Sequence, residues 1–212
     1  KRNKRPALGA GKGKMRKNIL GVFEGMDAAG KSEVSRLVAK ELGAEYLETP
    51  LPEFQEVRRY VDSHAPEIGK FLFYISTNLD ASEYLRERIK ETSIISARYF
   101  HTSFIDFSTR FNLTLEEAWD LVPVNPSDFF QPDITILLCV SPEVQRQRLI
   151  DRNRGNHTAT DLLCLTQTEY RNEINDKYLK CAETLDWPKI DTSYNTTEQT
   201  VQECVTLFEK LK

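Results

Sequence analysis

No apolar run in this chain approaches the ~20 residues needed to cross a bilayer, and the N-terminal stretch is charged where a secretory signal is apolar. Neither membrane insertion nor export is expected, and the cytoplasm is the expected location. Cysteine is scarce: Cys139, Cys164, Cys181 and Cys204 are irregularly spaced with no C-x-x-C pair, which argues against a zinc site or a disulfide framework and for reduced thiols. The chain lacks the N-K-x-D by which a GTPase reads guanine, since Asn3-Lys4 is followed by Arg5-Pro6. It shows no internal repeat and no interdomain linker, so its 212 residues point to one domain rather than two.

Charge is unevenly placed. Eight of the 29 basic side chains crowd between Lys1 and Lys17, while all 32 acidic ones lie beyond. Residues 1–17 therefore read as a flexible basic leader, either a solvated tail or an arm that touches nucleic acid. The body, residues 18–212, is acidic, so any phosphate it binds must be met by a local cluster of donors.

The body alternates strand and helix signals. Ile19–Phe23 is a short apolar run followed by a glycine turn, and Val34, Leu37, Val38 and Leu42 then recur at helical spacing up to Gly43, a helix-ending glycine. Ala44–Glu48, Ser93–Ala97, Ile134–Val140 and the weaker Lys189–Asp191 read as further strands. Ser141-Pro142-Glu143 carries the grammar of a helix start. Thr196 and Gln199 form a capping box before a helix striped by Val201, Cys204, Val205, Phe208 and Leu211. Strands separated by helices predict a parallel sheet covered on both faces.

Chemistry concentrates at Gly25-Met26-Asp27-Ala28-Ala29-Gly30-Lys31-Ser32, a match to G-x-x-x-x-G-K-S/T between a predicted strand and a predicted helix. Glycines let the backbone wrap a polyphosphate and turn N–H groups inward at a helix N-terminus whose dipole favours anions. Lys31 neutralises the outer phosphate oxygens and Ser32 offers a hydroxyl to Mg²⁺. A mere tight turn does not require Lys followed by Ser.

Phe23-Glu24-Gly25-Met26-Asp27-Ala28-Ala29-Gly30-Lys31-Ser32 resembles the F-E-G-x-D-x-x-G-K-S/T opening of thymidylate kinases and their nucleotide-kinase relatives. Ile94–Tyr99 is similar to that family's strand ending in D-R-Y, and Leu137–Arg148 to the strand and S/P-P-E helix leading into its mobile lid. Tyr170 and Tyr178 fit the helix that leaves the lid, and Ile190-Asp191 the last strand. The resemblance implies an α/β P-loop NTPase fold, with a five-stranded parallel sheet ordered 2-3-1-4-5, helices on both faces and a small lid. It implies ATP and Mg²⁺, the latter held at Ser32 and Asp27, and a small nucleotide-like acceptor. Arg98 falls on the arginine that grips the acceptor's phosphate, for which a bidentate guanidinium suits a tetrahedral dianion. Asp27 falls on the loop acid facing the acceptor sugar or the metal. Arg146, Arg148, Arg152 and Arg154 occupy the helix end and lid, before a flexible Gly155-Asn156, where arginines spread charge on the transferred group. A homodimer, and a nucleic acid met through the leader, remain open partnerships.

The chain departs from the family at several positions. Ala97 replaces the aspartate before the arginine. Ser76-Thr77 stand where the family reads D-R for thymine, and no glutamine follows in His101–Phe107. Asn78, Asp80 and Glu83 could supply other base contacts, although at helical spacing two of the three could face water. Glu48-Thr49-Pro50 replaces R-E-P, making Glu48 the candidate substitute carboxylate, with an exposed strand-end acid as the alternative. The expected function is ATP-dependent phosphoryl transfer to a nucleoside monophosphate or modified nucleotide. The alternatives are a P-loop kinase of a nucleoside, another small alcohol or a nucleic-acid base or end, and a nucleotide-binding protein that has lost catalysis.

Overall fold

The computed structural model describes residues 17–153 and 158–211. The leader up to Arg16, the lid residues Arg154, Gly155 and Asn156, and the side chain of Arg152 lie outside the described residues. Strand β1 (Leu20–Gly25) leads through a tight loop into α1 (Lys31–Leu42), followed by β2 (Glu45–Glu48), α2 (Gln55–His64) and the long α3 (Glu67–Arg88). Next come β3 (Ile94–Ala97), α4 (Phe100–Arg110), α5 (Leu115–Asp120) and β4 (Ile134–Cys139). The chain ends with α6 (Pro142–Asn153), α7 (Ala159–Thr166), α8 (Thr168–Thr184), β5 (Lys189–Asp191) and α9 (Thr197–Glu209).

The strands form one parallel sheet in the order β2-β3-β1-β4-β5, as expected. Strand alternation assigns each face its own core. Leu20, Val22, Ile94 and Leu137 face the helices α3, α4 and α8, whereas Phe23, Ile95, Ile136 and Leu138 face α1 and α9. The strands read from the sequence stand within a residue or two of their observed ends, a scatter normal for assigned boundaries. Gly43 closes α1 in the left-handed region at φ 62°, and the capping box of α9 is present, with Gln199 N–H donating to the Thr196 hydroxyl at 3.2 Å. Of the α9 stripe, Val201, Cys204 and Phe208 are buried, while Val205 and Leu211 pack from the rim.

All strands run the same way, so the C-terminal ends of β1, β3 and β4 open on one edge. Ligands in such sheets sit there, where the connections diverge. That edge carries the glycine loop after β1 and Arg98 after β3.

Candidate active site

The loop after β1 is shaped by backbone constraints. Gly25 has φ 137°, and a Cβ there would lie 2.3 Å from the Leu138 carbonyl oxygen, so a larger residue would push β1 off β4. Gly30 caps α1 at φ 89°, a conformation that glycine adopts without strain. Lys31, the first residue of α1, is buried and extends Nζ back along the loop, 2.5 Å from the Met26 carbonyl and 4.0 Å from the Asp27 carboxylate. Ser32 is exposed to a cavity of about 610 Å³ that the loop shares with Arg148, Asp151, Thr192 and the first turn of α9. Arg148 donates to the Ala28 carbonyl at 3.3 Å, the Thr192 hydroxyl at 3.0 Å and the Thr192 carbonyl at 2.5 Å, tying α6 to the loop and to the end of β5.

A second cavity of about 480 Å³ opens on the other side, between α2, α3, α4, α7 and α8. Phe71 lines it with Phe107 stacked on its ring at 4.0 Å and 13°, which gives the cavity an aromatic wall. Arg58 and Arg110 also line it. Arg58 faces Asp62 at 3.4 Å, and Arg110 bonds Asp106 at 2.9 Å and the Thr160 hydroxyl at 2.5 Å, joining α4 to α7.

Asp27 and Arg98 belong to both cavities. The two side chains form an ion pair, so the wall between the cavities is a carboxylate against a guanidinium. Burial works against the charge on Arg98, but Asp27, with Tyr178, Glu24 and Asp106, holds its guanidinium above the ordinary arginine range. Its backbone sits at φ 70°, a left-handed conformation unusual for arginine, held by its N–H on the Phe23 carbonyl at 2.9 Å and by the Ser96 hydroxyl on its own carbonyl at 2.9 Å. Beneath the pair, Glu24 is fully buried and accepts from the Tyr99 N–H at 3.1 Å and from the Thr102 hydroxyl. Burial pushes its carboxyl up to about 7, against the opposing pull of Thr102, Arg98 and Lys31.

The other sequence candidates fall at different distances from this boundary. Ala97 is buried opposite Phe23, and Glu48 pairs with it across β2 and β3. Glu48 is exposed and accepts from the Tyr46 hydroxyl at 3.3 Å, while its neighbour Thr49 lines the second cavity. Arg146 bonds the Leu165 carbonyl of α7 at 3.0 Å, a latch between helices. Asn78 lines the second cavity, while Asp80 and Glu83 are exposed. Sequence reasoning missed Glu24, which reads as one more residue of a buried strand, and Arg58, which reads as a solvated helix position.

The thymidylate kinase family model matches residues 23–204. The chain belongs to the thymidylate kinase family. ATP-dependent phosphoryl transfer to a nucleoside monophosphate is the activity that goes with this membership. A probable thymidylate kinase of Methanocaldococcus jannaschii is 24% identical over 192 residues, covering 89% of this chain and 94% of that protein. Human mitochondrial UMP-CMP kinase 2 is 32% identical over 133 residues, 61% of this chain but 30% of that larger protein. Among solved structures, thymidylate kinase from Candida albicans superposes with a TM-score of 0.70 at 15% identity, covering 91% of this chain and 92% of its own. The enzyme from Ehrlichia chaffeensis gives 0.64 at 14%, covering 90% and 98%.

Proposed function

We propose that ATP lies over the loop Gly25–Ser32 and passes its γ-phosphoryl group across the Asp27–Arg98 boundary to a nucleoside monophosphate held against the Phe71 wall. The observation that carries this reading is the shared boundary: two cavities of nucleotide size meet at one guanidinium and one carboxylate. Lys31 stabilises charge on the outer phosphates, and Arg98 holds the acceptor's phosphate within reach of them. The attacking oxygen belongs to a phosphate whose second pKa is near 6, so at neutral pH it needs no general base. The aspartate missing at Ala97 is therefore a loss of positioning rather than of proton transfer.

The donor set suits Mg²⁺. Ser32 and Asp27 offer a hydroxyl and a carboxylate to the donor cavity, and Mg²⁺ with a nucleotide takes few protein ligands, keeping waters and phosphate oxygens for the rest. When bound, the ion neutralises phosphate charge. Arg148 joins the donor site in this proposal. The family resemblance adds Arg152 and Arg154 to it, and Glu48 contributes a carboxylate from the acceptor rim.

No helix among the described residues is long and apolar enough to cross a membrane. All four cysteines are free thiols, which supports residence in a reducing cytoplasm. Residues 18–212 act as one kinase domain behind the leader. A second copy of the chain and a nucleic acid met by the leader belong to the same proposal, and light scattering and filter binding test them. The main test is a panel of acceptors with ATP. A nucleoside monophosphate should be phosphorylated and its parent nucleoside should not; equal use of the nucleoside would overturn the reading.

A further inference from the structure

Four consecutive carbonyls of the phosphate loop are held from behind by side chains. That of Met26 takes Lys31 Nζ at 2.5 Å, that of Asp27 takes Gln145 Nε2 at 3.0 Å, that of Ala28 takes Arg148 Nη1 at 3.3 Å, and that of Ala29 takes the Thr192 hydroxyl at 3.2 Å. In a trans peptide the C=O and the following N–H point opposite ways, so each bond also sets the direction of the next N–H. The bond on Asp27 sets that of Ala28, which lines the donor cavity.

Gln145 stands apart from the other three anchors. It is 2% exposed and lines neither cavity, whereas Lys31, Arg148 and Thr192 all line the donor site. Its Oε1 accepts from Arg171 Nε at 3.0 Å, and Arg171 also donates to the Val140 carbonyl at 3.1 Å. Arg171 is itself 8% exposed and, among the described residues, forms no ion pair with a carboxylate. A guanidinium has only donors, so the oxygen of the Gln145 amide must face it and the nitrogen must face Asp27. Burial works against the charge of Arg171, and Glu143 and Asp176 oppose that only from beyond ion-pair distance, so its side-chain hydrogen bonds to the Gln145 amide, the Val140 carbonyl and Asn172 Oδ1 at 3.4 Å are what hold the guanidinium in place.

We propose that Gln145 and Arg171 are positioning residues for phosphoryl transfer. The buried cation of α8 orients the Gln145 amide of α6, and that amide fixes the peptide plane after Asp27 and with it the acid at the boundary of the two cavities. The inference rests on the donor half of the function proposed above. It ties α6 and α8 to the phosphate loop.

The test is Gln145→Glu, which keeps the size of the side chain and gives Arg171 a carboxylate, but cannot donate to the Asp27 carbonyl. The expected result is a melting temperature at or above that of the wild type, kcat lower by about ten- to a hundredfold, and acceptor KM within about twofold. Calorimetry should show ADP binding weakened by about fivefold; this readout needs no acceptor, so an error in the acceptor assignment leaves it intact. Gln145→Met, which removes both bonds without adding charge, should lose as much. Arg171→Met should lose less, since the amide keeps its bond in one of two orientations. The same Gln→Glu change at exposed Gln202, on α9, should leave all three readouts unchanged. Wild-type kcat and ADP affinity in folded Gln145→Glu and Gln145→Met would overturn the proposal. So would a fall in melting temperature in both that accounts for the lost activity, since Gln145 would then be a core residue only.

Discussion

In the proposed division, the donor half is built around one continuous stretch, Gly25 to Ser32, shaped by backbone conformation and closed by Arg148, Asp151, Thr192 and the first turn of α9, whereas the acceptor half, beyond the shared loop residues, is gathered from Thr49 to Tyr178 over five helices and made of side chains that meet only on folding. Phosphates are much the same in every nucleotide, so a fixed peptide nest serves them, and a nest needs local sequence. An acceptor is told from its competitors by shape and by polar groups, which side chains from separate helices can supply. The two halves should therefore fail differently when changed.

The largest effect is expected at the donor. Lys31→Ala should lower kcat by about a thousandfold with little change in melting temperature, because the ammonium acts on phosphate charge and its nearest polar contacts are loop groups. A drop of less than about tenfold would remove the loop from the chemistry. Arg98→Ala sits on the boundary and should raise the acceptor KM by about a hundredfold while the KM for ATP moves only a few-fold. If both rise together, Arg98 serves the donor and the division of the site fails.

On the acceptor side the expected signature is loss of stability. Phe71→Ala removes a ring that is 3% exposed and stacked on Phe107, and should cost about 3–5 kcal/mol in chemical denaturation. Gly25→Ala provides the matching donor-side measurement. Its Cβ would meet the Leu138 carbonyl, so the β1–β4 pairing and nucleotide affinity should fall together.

The same contrast decides what could be read from the sequence. Gly43, the β4 run and the loop were legible because each signal is local: a cap, an apolar period or a motif. Sheet order came from resemblance, since neither composition nor period orders strands. Arg58 was not legible, because in Val57-Arg58-Arg59 nothing distinguishes the arginine that faces the cavity from its exposed neighbour. The short helix α5 was a missed local signal. Thr114 and Glu117 form a capping box, with the Glu117 N–H on the Thr114 hydroxyl at 3.1 Å, and that pattern stands in the sequence. Asn78 was named beside Asp80 and Glu83, and only its place on α3 separated it from those two.

Two buried groups that line neither cavity set how stability varies with pH. Glu24, raised from 4.5 to about 7 by burial, gives stability that is complete below pH 4.5 and is lost as pH rises through 7. His101, lowered from 6.5 to about 3 by burial, does the reverse: its contribution is complete above pH 6.5 and is lost as pH falls toward 3. Between pH 4.5 and 7, Glu24→Gln should therefore remove a decline of up to about 3 kcal/mol in unfolding free energy. An unchanged profile would mean that Glu24 is ionised in the folded protein. The smallest effect is expected for Glu48→Gln, within about threefold in kcat, because the residue is exposed at the rim and bonded to Tyr46. A tenfold loss would make it the full replacement for the carboxylate missing at Ala97 rather than a minor contributor at the rim.

Phosphorus NMR of the products from ATP and a nucleoside monophosphate tests the shared boundary most directly. The two-cavity arrangement predicts equal amounts of ADP and the acceptor's diphosphate, with inorganic phosphate below a few per cent, because the acceptor's own phosphate is held next to the transferred group. Inorganic phosphate as the main product, or a new phosphate on a sugar hydroxyl, would contradict it.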